Sequence, residues 1–352
     1  MTSEKNNEME DLKRRFHAMY PDKYFLDYEI DELTSFLEHK NWLLQGEQVM
    51  ALEKPGEGNM NRVLRVLTGK RSFILKQARP WVEKYPGIDA SVERNAVEAK
   101  YYAFINQDEK LKKYSPGLTG VDEDHFIMNI TDLGEGTDYT RLYQKEKKLS
   151  GKELKSILHY LSILHNLHCD TFPSNMSMRN LNHEHVFVFP FSEDNGFDLD
   201  GIEPGLQKAS IPYKRDFSLK HRINELGNLY LSAGKVLIHG DYFPGSWLST
   251  DSGLKVIDPE FSFIGFAEFD LGVLIAHMLL ARQDADIIGA IIQDHEKRES
   301  CNLRITAGFA GTEVLRRLLG VAQLPLSLSL EEKVKLMKRA ASWILNEKMD
   351  IE

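Results

Sequence analysis

The segment VLIHGDYFPGSWLSTDSGLKVIDPEF, residues 236 to 261, brings Asp241, Asp258 and Glu260 near the ends of two short apolar runs separated by polar turns. In an extended segment residues i and i+2 point to the same side, so Asp258 and Glu260, flanking Pro259, can offer two carboxylates to one hard cation. Magnesium suits such a pair. It keeps several waters and is held by one or two carboxylates together with substrate phosphates, which points to a nucleotide rather than a structural metal site. A plain turn after a strand is the competing reading of DPE. Asp241 follows His239 and Gly240 after the strand-like KVLI, where glycine permits a tight turn and the aspartate can face a cleft. From there a carboxylate can accept the proton of an attacking hydroxyl while the other two hold metal.

A phosphate grip is expected upstream. The loop GEGNMN (56–61) lies between two strand-like runs, and Gly56 and Gly58 would let backbone N–H groups approach a nucleotide alongside Asn59. Asn61 stands where the usual kinase loop has its third glycine, and a hairpin turn explains the loop equally well. Lys76, one strand later in FILKQ, could reach α- and β-phosphates and pair with a helix carboxylate such as Glu98. A strand lysine alone is ordinarily just solvated. The order of loop, lysine, helix glutamate, base aspartate and metal carboxylates carries the argument.

The elements that must position these groups follow from periodicity. Residues 1 to 45 look helical and polar. Val49 to Leu52, RVLRVL and SFILKQ read as strands of an antiparallel sheet, with TGKR as a turn. Residues 91 to 105 place Val97, Tyr101, Phe104 and Ile105 on one helix face. HFIMNI reads as a strand before TDLGEGTD, the boundary to a helix-rich remainder. SGKELKSILHYLSILHNLH opens with Ser150 and Glu153 in capping-box spacing and carries Leu154, Ile157, Leu158, Leu161 and Leu164 at helical spacing. Residues 193 to 216 read as loop-rich, and LGVLIAHMLLA (271–281), too short to span a bilayer, as a buried helix.

With 352 residues, 42% apolar and 28% charged, the composition is that of a globular chain long enough for two lobes. Lysine and arginine number 44 against 53 aspartate and glutamate, a net charge of 44 − 53 = −9, which argues against general nucleic-acid binding. Only Cys169 and Cys301 occur, and the N-terminus is polar where a signal peptide needs an apolar core. No membrane segment and a reducing cytoplasm are therefore expected.

These residues resemble the aminoglycoside phosphotransferase and choline kinase group, with its His-Gly-Asp loop followed by a metal-binding aspartate. Within it, the pattern is most similar to methylthioribose kinase, which reads Gly-Asp-Gly-Asn-Leu-Asn where this chain has GEGNMN, and shares Lys-Gln (LKQ) and Asp-Pro-Glu-Phe (DPEF). Gly245 and Ser246 match its Gly-Ser where related kinases have Asn. EVLRRLLGVA (313–322) matches its Arg-Arg running into Gly-x-Ala. The resemblance spans about residues 45 to 325. It implies an α+β, two-lobed protein-kinase-like fold: an N-terminal nucleotide-binding lobe (1–130, antiparallel sheet plus helix, with a helical extension), a hinge near Met128 to Gly134, and a larger, mainly helical C-terminal lobe (131–352). It implies ATP and magnesium as cofactors and a small-molecule hydroxyl as substrate, a methylthioribose-like pentose. Asp241 would be the base, Asp258 and Glu260 the metal ligands, and Lys76, Glu98, Ser246 and the 56–61 loop the nucleotide contacts. Arg316 and Arg317 would hold the sugar or the transferred charge.

Neighbouring helix positions lie about 100° apart, so one of the two arginines at most is expected to face straight into a cleft. The family's polar His-Thr pair after Asp-Leu is replaced by Phe243 and Pro244, which should make the pocket less polar. An aminoglycoside-, choline- or 5-deoxyribose-like acceptor and a nucleotide-binding pseudokinase, the latter suggested by Ser246, are the alternatives; monomer and homodimer are both open. His183 with His185 on a strand face, and His165 with His168 on a helix face, lack zinc-like ligand partners and read as core or capping histidines.

Overall fold

Alternation in RVLRVLT drives one face of that strand into a core, and Leu64 and Val66 are fully buried. The computed structural model describes residues 3–56, 58, 60–169, 171–296 and 301–350, which divide into two units, Met1–Gly134 and Glu135–Glu352. The first contains α1 (Ser3–Met19), α2 (Ile30–His39), β1 (Val49–Glu53), β2 (Arg62–Thr68), β3 (Ser72–Gln77), a short hairpin of β4 (Trp81–Val82) and β5 (Tyr85–Asp89), α3 (Arg94–Ile105), β6 (Leu118–Asp122) and β7 (Ile127–Thr131). An antiparallel five-stranded sheet has the order β1-β2-β3-β7-β6.

β3 is the middle strand, and all of it after Ser72 is buried. Its period-two geometry sends Phe73 and Leu75 to a core shared with Leu33, Phe36 and Leu37 of α2, while Lys76 reaches Glu98 of α3 on the other face. The N-terminal stretch is thus more than a polar helical extension, because its apolar residues cover the sheet. Gln77 stitches it down: its side chain accepts from Leu26 N (2.8 Å) and donates to Tyr24 O (2.7 Å) and His125 O (3.0 Å). Three boundaries differ from expectation. α3 starts at Arg94, after a turn; β7 starts at Ile127 because Phe126 adopts a positive φ of 57°; and Met128 to Thr131 are strand, paired to β3, rather than hinge.

The second unit contains β8 (Gly136–Asp138), α4 (Gly151–Asn166), α5 (Met176–His183), α6 (Leu206–Arg215), α7 (Phe217–Leu231), β9 (Val236–Ile238), β10 (Trp247–Thr250), β11 (Gly253–Val256), β12 (Phe263–Gly265), α8 (Ala267–Leu280), α9 (Ala285–Glu296), α10 (Leu303–Leu319) and α11 (Leu330–Asn346). The Ser150–Glu153 capping box is present. α6 replaces part of the expected loop. Pro212 lies inside it, where its missing N–H removes a single helical hydrogen bond. Every residue of α8 is buried, and α10 packs against both α8 and α11. A Cβ at Gly272 would stand 2.7 Å from the Phe309 side chain, so glycine lets α8 and α10 approach. Among the described residues no helix is long and apolar enough to cross a membrane.

Gln77→Ala should cost about 2–4 kcal/mol, since it removes three hydrogen bonds of a buried side chain at once, one of them fully buried, and leaves their backbone partners unmet. Urea unfolding of the whole chain measures this; the transition should move to lower urea with an unchanged slope.

Candidate active site

The loop after β9 is shaped by two constraints. Gly240 has φ 84°, and a Cβ there would stand 2.2 Å from Phe261 O, so only glycine fits where this loop passes the DPEF segment. Asp270, fully buried in the apolar α8, then fixes the loop: Oδ2 accepts from His239 N (2.8 Å) and Oδ1 from Gly240 N (2.9 Å), and His165 Nε2 lies 3.0 Å from Oδ2. His239 Nε2 lies 3.0 Å from Ile257 O, tying the loop to the residue before Asp258. Burial lowers the His239 pKa, keeping this ring neutral and structural. Ser246 donates its hydroxyl to Asp241 O at 2.9 Å, which closes the turn from the other end.

Asp241 keeps a quarter of its side chain exposed. Burial raises its pKa, and Arg317 and Arg316 oppose that rise. Both arginines reach it, with Arg317 Nη2 at 3.4 Å and Arg316 Nη2 at 3.6 Å from Asp241 Oδ1. The expectation that one arginine at most would face the site is therefore corrected. Glu313 lies three and four residues before them on the same helix face, accepts from both Nε groups (2.6 and 2.7 Å) and turns both heads one way. Burial opposes the Glu313 charge, but Arg316 and Arg317 outweigh it and hold its pKa well below the usual carboxylate range. His277 Nε2 lies 2.9 Å from Glu313 Oε1, and its Nδ1 lies 2.6 Å from the Tyr143 hydroxyl. Phe243 packs against His277, and the Arg317 guanidinium lies 4.7 Å from its ring centroid. Its ring thus lies against these two groups.

Asp258 departs from expectation. It has φ 62°, left-handed rather than extended backbone, so strand alternation is not what brings the two carboxylates together; yet oxygens of Asp258 and Glu260 lie within 4.8 Å of one another, and the turn comes after Pro259, at Glu260 and Phe261. Glu260 is buried, and Asn175 holds its backbone by donating to Glu260 O (2.9 Å) and Ser262 O (3.0 Å). Two carboxylates so close in sequence are hard oxygen donors of the kind magnesium takes.

In the first unit Lys76 Nζ lies 2.5 Å from Glu98 Oε1, both buried. The Asn61 carboxamide oxygen is engaged internally: Oδ1 accepts from Arg94 Nε (2.8 Å). Arg94, fully buried, also donates to Met60 O (2.9 Å), Arg79 O (2.8 Å) and Ser91 O (2.7 Å), clamping the exit of the 56–61 loop to the start of α3. Gly56 and Gly58 are described and linked by a Gly58 N to Gly56 O bond of 3.2 Å, while Asn59 lies outside the described residues.

The histidine pairs resolve differently. His183 ends α5 and His185 sits in a π-helical turn (Glu184–Val188), so they share no strand face; His168 lies beyond the end of α4. Sequence reasoning missed Asp270, Glu313, Arg94 and Asn175. A lone carboxylate in the otherwise apolar FDLGVLIAHMLL, and a glutamate one turn before Arg-Arg, were the available signals.

An aspartate on a pinned His-Gly-Asp loop, acidic DPE residues and a buried lysine–glutamate pair are features expected of a kinase-like phosphotransferase. The profile of the phosphotransferase enzyme family (APH) matches residues 51–302, and the chain belongs to that family. It is a phosphotransferase acting on a hydroxyl group. Methylthioribose kinases of Bacillus cereus are 29% identical over 296 residues, covering 77% of this chain and 69% of theirs, and in another strain 28% identical over 343 residues (82% and 84%). The kinase-like fold is shared with a choline/ethanolamine kinase family protein from Mesorhizobium loti (TM-score 0.52, 16% identity, 90% and 96% covered) and a microcompartment-associated aminopropanol kinase (TM-score 0.51, 15%, 92% and 100%).

Burial pushes the His277 imidazole down to about 4, with the Glu313 hydrogen bond opposing. An unfolded chain titrates this ring near pH ~6.5, so it takes up protons that the folded state refuses. The stability this contributes is complete above about pH 6.5 and is lost as pH falls toward about 4, by up to about 3 kcal/mol. Urea midpoints of His277→Gln should therefore fall less steeply than those of the parent between about pH 6.5 and 4.5.

Proposed function

We propose that this protein transfers the γ-phosphoryl group of ATP to a hydroxyl of a small neutral or anionic molecule, a methylthioribose-like pentose. The observation that carries this reading is the pair of arginines gathered on the base carboxylate. A polycationic acceptor such as an aminoglycoside would meet two guanidiniums beside the atom that must accept its proton, whereas sugar hydroxyls and phosphate oxygens match their donors. The likeness to methylthioribose kinases supports the same choice of acceptor. Asp241 accepts the proton of the attacking hydroxyl, in the loop that Asp270 pins. Arg316 and Arg317 stabilise charge developing on the transferred group or orient the acceptor.

In this reading residues 1–134 form the nucleotide-binding lobe, with Lys76, held by Glu98, on the α- and β-phosphates beneath the 56–61 loop. Asp258 and Glu260 would hold magnesium, which when bound neutralises phosphate charge. Ser246 stands where related kinases have Asn, and its hydroxyl, donating to Asp241 O, keeps lone pairs for a further contact. Choline, other pentoses and a non-catalytic nucleotide-binding role are outcomes of the test.

An ADP-release assay across methylthioribose, 5-deoxyribose, ribose, choline and an aminoglycoside should show the highest kcat/KM for methylthioribose. Preference for the cation acceptors would overturn the sugar assignment, and magnesium-dependent ATP binding without any transfer would favour the pseudokinase. Asp241→Asn should lower kcat by about 10²–10⁴-fold with the KM for ATP nearly kept. Asp258→Asn should in addition raise the magnesium concentration needed for ATP binding; equal loss of ATP binding in both variants would undo this division of roles.

A further inference from the structure

Two adjacent arginines on a helix diverge by about 100°, yet here both heads converge on one carboxylate oxygen. Something must hold them against that divergence and against their mutual repulsion. Glu313, 1% exposed, takes Arg316 Nε on Oε2 and Arg317 Nε on Oε1, leaving the Nη2 end of each guanidinium toward Asp241. Each arginine therefore bridges two carboxylates. The glutamate is itself fixed from behind. Because a carboxylate only accepts, His277 Nε2 carries the proton in the 2.9 Å contact to Glu313 Oε1, and Nδ1 must then accept from Tyr143 Oη at 2.6 Å. Phe243 closes the side, between the His277 ring and the Arg317 guanidinium.

We infer that Glu313, locked by His277 and Tyr143, is a positioning residue that aims both Arg316 and Arg317 at the acceptor side of the reaction, and that acceptor recognition depends on it. The inference rests on the kinase reading above for its functional part, and on geometry alone for the cradle. Two guanidiniums and two carboxylates balance in charge, and removing one of the four leaves an uncompensated buried charge. Loss of Glu313 leaves two buried cations whose remaining anion partner among the described residues is Asp241, and they collapse onto it instead of presenting donors to substrate. Tyr143 acts at one remove. Without its hydroxyl, His277 can take the other tautomer and turn a lone pair toward Glu313, which weakens the anchor without removing it.

Four measurements on the full chain test this. Glu313→Gln should lower kcat/KM for the best acceptor by about thirtyfold or more while the KM for ATP moves less than about threefold. In an Arg316→Ala, Arg317→Ala background the same substitution should add less than about threefold, because Glu313 acts through those side chains; independent, multiplicative losses would overturn the proposal. Should Glu313→Gln fail to fold, Tyr143→Phe keeps the question open to decision: it should cost about 3–10-fold in kcat/KM for the acceptor and leave ATP unaffected, and activity equal to the parent would overturn the positioning role. An activity-independent arm separates failure of the cradle from failure of the kinase reading. Arginine Nε–H resonances should include two slowly exchanging signals that survive Asp241→Asn and are lost or shifted in Glu313→Gln or weakened in Tyr143→Phe. Their absence from the parent protein would overturn the cradle, whereas their presence in a chain that phosphorylates none of the acceptors would leave the cradle standing and sink the kinase reading.

Discussion

The candidate active site hangs on a single carboxylate. Asp270 sits in α8, a helix apolar nearly throughout and buried at every position, where an unpaired charge would be very costly. Its two oxygens are satisfied by the backbone N–H groups of His239 and Gly240 and by His165. That requirement works in both directions: the helix can bury an aspartate because the loop supplies donors, and the loop has one conformation because the helix buries an aspartate. Gly240, in a conformation that L residues avoid and with Phe261 O too near for a Cβ, is the backbone consequence. Asp241, the next residue, inherits its position from both.

A second constraint is charge balance around Asp241. Burial works against its ionised form while the two arginines favour it, and Glu313 on the far side works against it again. The carboxylate thus lies among opposing contributions rather than beside a simple counter-ion. The price of two adjacent guanidiniums is met by Glu313, whose pKa the same arginines depress. His277 stays neutral at this boundary and acts as a hydrogen-bonded spacer between Tyr143 and Glu313.

The first unit solves a similar problem with different groups. Arg94, on α3, and Lys76, on β3, are buried cations, and Lys76 pairs with Glu98, which lies one turn after Arg94 on α3. Arg94 spends its donors on the carbonyls of Met60, Arg79, Ser91 and Trp81 and on Asn61. It fastens the loop exit and the β4 region to the helix that carries Glu98. Lys76 spends its charge on Glu98 and so stands in a defined place on the central strand. The contrast between an arginine used as a many-armed backbone clamp and a lysine used as a point charge follows from their donor geometry.

Much of this was legible in residue types and spacing. Period-two alternation located β2 and β3, the Ser150–Glu153 pair located the start of α4, and the order of glycine loop, lysine, helix glutamate and His-Gly-Asp identified the chemistry, because these are local patterns with local physical causes. The Lys76–Glu98 pair matches the expected pairing of a strand lysine with a helix carboxylate in kinase-like sites. Other features depended on packing that no local pattern encodes. Asp258 has left-handed backbone, which an i, i+2 argument for a strand could not see. Both arginines face Asp241 because a glutamate one turn earlier gathers them, overriding the 100° divergence that helix geometry alone predicts. Asn61 and Gln77, which read as motif residues, are engaged in holding backbone and an arginine. Local sequence determined which groups were available and on what kind of element. Tertiary structure decided which of them neutralise one another, since the partner of a buried charge is whichever group the fold brings within a few ångströms, at any distance along the chain.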